Sequence, residues 1–253
     1  MAVYVTGDMH GDENKMSELI TQMDSGDTGL VAGDFGFMFL DDKSENIFLD
    51  DLSNACANKG IDIAFVLGNH ENYDVYYSDR FPIVDWCGGK ARKVREHIIC
   101  LINGEIYNIE NKTYLAFGGG CSADKAERLA NEKIDGVKQW WEQELPTEED
   151  FENARNNLKK AGNTVDYVIT HSAPSGVIDR MRIQCSDRQT IKYIAKEVPL
   201  QLELNELAYE ISSFDTWFFG HFHIDETFSN FFSTYGMNKT FVGLLYDIIK
   251  IGD

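Results

Sequence analysis

An α/β fold is predicted by two features of the 253-residue chain. Apolar runs alternate with helical patterns through its first part, in the order βαβαβ. The apolar runs are also near-continuous, as in a parallel sheet buried on both faces. "AVYVT" (2–6), "TGLVAG" (28–33) and "IDIAFVLG" (61–68) are the strands. Between them, "ENKMSELITQMD" (13–24) sets Met16, Leu19, Ile20 and Met23 on one helical face. "KSENIFLDDLSNACANKG" (43–60) is a second helix, closed by Gly60.

From 83 to 118 the texture changes. "HIICLI", "EIYNI" and "TYLAFG" follow one another without helices between them, which predicts a second, more antiparallel sheet. Residues 118–146 read as a loop that opens on three glycines and carries Trp140 and Trp141. "TEEDFENARNNLKKA" (147–161) is a helix with Thr147 as N-cap and three acidic residues in its first turn. "VDYVIT" (165–170) is a strand. Amphipathic stretches near 187–198 and 200–212 flank Pro199, and "FDTWFFG", "NFFSTY" and "TFVGLLYD" close the chain as strand-like runs. A single domain over 1–253 is expected, with the loop around 118–146 on its substrate side.

Composition narrows the setting. Hydrophobic residues make up 43% of the chain, enough for a sizeable core. No apolar run approaches the roughly 18 residues that span a bilayer, and the N-terminus lacks a signal-peptide pattern. Cys56, Cys87, Cys100, Cys121 and Cys185 are scattered without a CxxC pair, as expected of reduced thiols. A soluble, cytoplasmic protein is expected. The net charge of −19 opposes long duplex nucleic acid, yet leaves room for a small anion drawn to a local positive site. The sequence leaves the oligomeric state open.

Five strands end in polar groups of one kind. "YVTGDMH" ends on Asp8 and His10, "LVAGDFG" on Asp34, and "FVLGNH" on Asn69 and His70. "YVITH" ends on His171, and "WFFGHFH" on His221 and His223. Of the six histidines only His97 lies elsewhere. In four cases a glycine precedes the first polar group, so the backbone can turn sharply and pass close to a neighbour. Ligands of open α/β sheets collect at the carboxyl ends of strands. Asp and His together suit Zn, Mn or Fe(II), and so many donors exceed the needs of one metal and fit two. Two divalent ions against Asp8, Asp34 and a hydroxide would leave about one positive charge, a trap for phosphate.

These motifs resemble the calcineurin-like metallophosphoesterase superfamily: D-x-H (8–10), G-D (33–34), G-N-H-E (68–71), a later His171, and G-H-x-H (220–223). The resemblance implies a two-sheet β-sandwich flanked by α-helices, with the metal site at strand ends. It implies that Asp8, His10 and His223 hold one metal, that Asn69, His171 and His221 hold a second, and that Asp34 bridges them. His70 would be catalytic, near the leaving-group oxygen, and not a ligand. Two divalent ions are implied, with Mn favoured in vitro, and in-line attack by a hydroxide that bridges them. The substrate class is a small phosphorylated molecule or a nucleotide phosphodiester. A nuclease of the same superfamily and a silent phosphate- or nucleotide-binding module are the alternatives.

Two departures from protein phosphatases of that superfamily bear on specificity. Phe37 stands where a second Asp is usual, and no arginine follows "GNHE" closely. The partner that orients His70 is therefore displaced, with Glu71 or Asp74 as substitutes. "SADK" (122–125) and "WWEQE" (140–144) are similar to segments of small bacterial and phage metallophosphoesterases. In this stretch Lys125 or Arg128 could meet a phosphate, and Trp140 or Trp141 could stack on a base or close the loop against the core. The basic run "KARKVR" (90–95) reads as a solvated strand.

Overall fold

The computed structural model describes residues 1–184, 199–229 and 239–252. The stretch 187–198, the run "NFFSTY" and Cys185 lie outside them. The strands are β1 (Val3–Thr6), β2 (Thr28–Val31), β3 (Asp62–Phe65), β4 (Ile83–Trp86), β5 (Gly89–Arg95), β6 (Ile98–Leu101) and β7 (Ile106–Ile109). There follow β8 (Lys112–Phe117), β9 (Tyr167–Thr170), β10 (Thr216–Phe219), β11 (Glu226–Phe228), β12 (Thr240–Gly243) and β13 (Ile249–Ile251). The helices are α1 (Glu13–Gln22), α2 (Lys43–Lys59), α3 (Tyr73–Tyr76), α4 (Lys125–Asp135), α5 (Glu148–Lys160), α6 (Ser175–Gln184) and α7 (Pro199–Glu210).

Side-chain alternation along the strands builds three apolar layers. One face of β1, carrying Val3 and Val5, meets Tyr107, Tyr114, Ile169 and Phe218 of a second sheet. On the opposite face Tyr4 packs with Met16 and Leu19 of α1 and with Leu49 and Cys56 of α2. The second sheet turns Leu115, Phe117, Trp217 and Phe219 outward against Phe151 and Leu158 of α5 and Leu204 and Leu207 of α7. The result is two sheets face to face with helices on both outer sides.

Local chemistry sets the helix ends. Asp12 accepts hydrogen bonds from the amides of Asn14 and Lys15 and so starts α1. Thr147 and Asp150 form a reciprocal capping box at α5. Gly60 closes α2 in the left-handed conformation, with φ of 72°.

The sheet expected over 83–118 divides between the two. The first sheet runs β13-β1-β2-β3-β6-β5-β4 and the second β11-β12-β10-β9-β8-β7. Thus β4, β5 and β6 extend the first, whereas β7 and β8 begin the second. The second is parallel through β8, β9, β10 and β12, with antiparallel strands only at its edges. The reason lies in connections: α5 carries the chain from β8 to β9, and α6 and α7 lie between β9 and β10. Such helical crossovers make parallel neighbours.

The expected loop over 118–146 contains α4 and a short 3-10 turn, Glu142–Glu144. Arg128 is the buried residue of α4, so no apolar stripe marks this helix in the sequence. Gly136, with φ of 73°, was its available stop signal.

Leu19 is fully buried between α1 and the first sheet. Leu19→Ala is expected to cost about 2–5 kcal/mol, read as a lower urea midpoint at unchanged slope.

Candidate metal centre

The loops that leave β1, β2, β3, β9 and β10 meet at one edge, stitched across the sheets. The His221 amide donates to Asp8 Oδ1 at 2.8 Å, and His171 Nδ1 donates to the Ala32 carbonyl at 2.9 Å. The His70 amide donates to Asp34 Oδ1 at 2.8 Å. These bonds bring Asp8, His10, Asp34, Asn69, His70, His171, His221 and His223 together. Five of them, Asp8, His10, Asp34, His221 and His223, have positive φ, among ten such non-glycine residues described. That conformation costs of order 1–3 kcal/mol each and coincides with the turn out of each strand.

Around His171 the side-chain nitrogen and oxygen atoms of three residues converge. Its Nδ1 donates to the Ala32 carbonyl, so in a neutral ring Nε2 would be an acceptor. That atom lies 3.0 Å from Asn69 Oδ1 and 3.4 Å from Asp34 Oδ1. The Asn69 oxygen faces His171 because its NH2 group is engaged elsewhere. Asn69 Nδ2 donates to Ser122 Oγ at 3.3 Å, and Ser122 Oγ donates to Glu144 Oε2 at 2.6 Å. The Ser122 amide holds the other Glu144 oxygen at 3.0 Å. Ser122 and Glu144 belong to the "SADK" and "WWEQE" segments, and this pairing is what joins them.

A similar meeting occurs on the other side of Asp34. Its Oδ2 is 3.6 Å from His10 Nε2, which is 3.3 Å from His223 Nε2. Asp8 Oδ2 is buried with no hydrogen-bond partner among the described residues. An ionised carboxylate left so would cost several kcal/mol. Among the described residues, two groups of side chains offer ligand atoms within 4.8 Å of one another: Asp8, Asp34 and His171, and His10, Asp34 and His70. Carboxylate and imidazole donors gathered in this way suit a divalent cation.

Glycine makes the close approaches possible. A Cβ on Gly33, whose φ is 92°, would overlap the His171 ring. On the other flank a Cβ on Gly120 would stand 2.8 Å from His171 Cδ2 and 3.0 Å from Asn69 Oδ1. The triple glycine thus lets the chain pass directly over the donors.

Glu71 and Asp74 do not reach His70. Fully buried Glu71 accepts from the Phe35 amide at 2.6 Å and holds the loop that carries Asp34. Asp74 pairs with Lys138 at 2.7 Å. The contact to His70 comes from Arg128 of α4, whose Nη2 lies 2.6 Å from His70 Nε2 and 3.0 Å from Nδ1. Arg128 is 5% exposed. Its Nη1 donates to the Asn69 carbonyl at 2.9 Å and its Nε to Asp124 Oδ1 at 2.9 Å. A guanidinium only donates, so one nitrogen of His70 accepts and the neutral ring keeps its hydrogen on the other. The guanidinium expected to meet a phosphate is thus committed to His70, Asn69 and Asp124. Trp141, 3% exposed, packs edge-on against Phe39, so its ring is used by the core. Lys125 lies 3.5 Å over the ring of half-buried Trp140. The sequence singled out Arg128 and the segments that carry Ser122 and Glu144, but offered no signal that Arg128 meets His70 or that Ser122 and Glu144 hold Asn69.

Burial also sets the charges. It pushes the Asp8 carboxyl up to about 7, with His171 opposing and Asp34 adding to the rise. Burial acts on Asp34 in the same sense, but the histidines around it, His171 foremost, leave it below its ordinary value. Desolvation lowers His10 to about 4 and lowers His70, His221 and His223 as well. These four imidazoles are therefore neutral near pH 7, the form in which imidazole ligates a metal.

A family model described as calcineurin-like phosphoesterase matches residues 1–225. The chain belongs to this calcineurin-like family. Its members are metal-dependent and act on phosphate esters, so divalent ions and phosphate-ester chemistry hold at family level for this calcineurin-like chain. None of the curated proteins compared matches it. Among solved structures, a protein of unknown function, AQ665 from Aquifex aeolicus, is 13% identical, covering 68% of this chain and 80% of its own. The TM-score of 0.28 is too low to support an argument. No helix among the described residues is long and apolar enough to cross a membrane.

Two predictions arise from this geometry. Ser122→Ala frees the Asn69 carboxamide to turn, and Mn²⁺ affinity measured by calorimetry is expected to fall about 10–100-fold. With Asn69→Asp in place the two oxygens are equivalent, so adding Ser122→Ala should then change little. The second concerns protons. Because the Asp8 carboxyl is raised to about 7, it is protonated below that pH and a metal held by Asp8 would have to displace the proton. Mn²⁺ binding near pH 6 should release about one proton, seen in buffers of different ionisation enthalpy, and the release should vanish well above pH 7.

Proposed function

We propose that this chain is a dinuclear metal-dependent phosphoesterase acting on a small phosphorylated molecule or a nucleotide phosphodiester. The supporting observation is that Asp34 belongs to two groups of clustered ligand atoms, one with Asp8 and His171 and one with His10 and His70. On this reading Asp8, His10 and His223 hold one ion, Asn69, His171 and His221 the other, and Asp34 spans both. Two divalent ions there, with Mn a good choice in vitro, would act as Lewis acids on the phosphate and lower the pKa of a nucleophilic water.

The chain's own groups do the rest. Neutral imidazoles and only two carboxylate ligands leave the loaded site positive, so a phosphate is attracted despite the net charge of −19. His70 is not a ligand on this reading. Arg128 fixes its ring with one nitrogen engaged, and the nitrogen that keeps its hydrogen donates a hydrogen bond to the leaving-group oxygen as charge develops there. Glu71 maintains the Asp34 loop, and Glu144 acting through Ser122 keeps the Asn69 oxygen turned to the metal. The acidic surface opposes long polyanions, which favours small substrates over a nuclease role.

The test is turnover of a chromogenic phosphodiester and its monoester with Mn²⁺. Asp34→Asn is expected to lower kcat/KM by at least about 10³-fold on the preferred ester, and His70→Ala to lower kcat by about 10²–10⁴-fold with metal content retained. No turnover of either ester by protein holding two metals would count against the proposal and favour a silent phosphate-binding module.

A further inference from the structure

A cavity of about 210 Å³ lies beside His70, bounded by Phe39, Gln139 and the start of α4. Its α4 wall is Asp124, Glu127, Arg128 and Asn131, spaced as one face of a helix. His70 belongs to both the cavity and the donor cluster, since its ring also stands 4.9 Å from that of His10. A group that left phosphorus past His70 would enter this space.

The lining defines what it can accept. Arg128 is committed to His70, Asn69 and Asp124, so its charge is already answered within the protein. Exposed Glu127 and half-buried Asn131 have no side-chain hydrogen bond or ion pair among the described residues. Gln139 adds a second carboxamide, and its Nε2 donates to Asp135 at 3.0 Å, leaving its oxygen free to accept. Carboxylates and carboxamide oxygens call for hydrogen-bond donors, and Phe39 offers an apolar face. A leaving group bearing a second phosphate would meet Glu127 and Asp124 as like charges. At about 210 Å³ the cavity falls below the ordinary range for drug-sized ligands and fits an amino alcohol or at most a nucleoside.

We infer that this cavity is the leaving-group subsite, selecting an uncharged or cationic alcohol rich in hydrogen-bond donors and rejecting an anionic one. Glu127 and Asn131 are its specificity-determining residues. The assignment rests on the phosphoesterase reading for its role in a reaction, but not for binding, which is therefore measured without metal. Metal-free protein labelled with ¹⁵N is titrated with adenosine, with ethanolamine and with AMP.

Adenosine or ethanolamine should shift the side-chain amide signals of Asn131 and Gln139, and which of the two binds more tightly identifies the kind of alcohol. AMP should bind at least about tenfold more weakly than adenosine. Asn131→Leu should weaken the favoured alcohol about tenfold, and Glu127→Lys should narrow or reverse the preference over AMP. Absence of shifts from both alcohols, or equal binding of AMP and adenosine in the unaltered protein, would overturn the subsite. An inactive enzyme whose cavity still binds adenosine or ethanolamine would defeat only the phosphoesterase reading. Turnover of p-nitrophenyl esters without alcohol binding would defeat only the subsite.

Discussion

Everything at the candidate centre depends on one contact, in which His171 Nε2 lies 3.0 Å from Asn69 Oδ1 and 3.4 Å from Asp34 Oδ1. Burial removes the water that would screen these groups and so strengthens their electrostatics. The rest of the molecule holds them there. The Ala32 carbonyl accepts from one His171 nitrogen, Ser122 and Glu144 turn the Asn69 amide, and Gly33 and Gly120 leave room on both flanks of the ring. Such an arrangement is stable when a cation sits among the donors, and a metal-dependent family supplies that reason.

The two sheets serve this contact rather than merely surrounding it. Each delivers its donors from parallel strands that end on one side, because helices return the chain to the other side between strands. The apolar layer between the sheets, from Val3 and Val5 to Ile169 and Phe218, sets their separation and therefore how closely Asp8 meets His221. Backbone strain appears where the fold is asked for most, with Asp8, His10, Asp34, His221 and His223 all at positive φ.

Helix α4 separates this chain from a bare metal site. It buries an arginine rather than an apolar stripe, and that arginine reaches the ring of His70 and the carbonyl of Asn69 together. Protein phosphatases of the resembling superfamily have an Asp where this chain has Phe37, and the partner of His70 here is a cation. A cation favours the neutral ring, in keeping with burial, which also draws His70 below its ordinary range.

By itself the sequence determined which residues would gather. Strand ends marked by glycine followed by Asp, Asn or His are local signals, set by apolar runs and turn chemistry, and Asp8, Asp34, Asn69, His171 and His221 do lie together. The α/β class and the caps at Thr147 and Gly60 were legible for the same reason. Tertiary structure alone decided how sheets were shared, since whether β8 pairs with β9 in parallel depends on a helix that crosses between them. It alone decided the partners of His70 and Asn69. Arg128 lies 58 residues from His70 and Ser122 lies 53 from Asn69, and no periodicity relates positions that far apart. Only the folded chain places a side chain from one segment against a polar atom of another, and it does so here to satisfy groups that burial has taken from water.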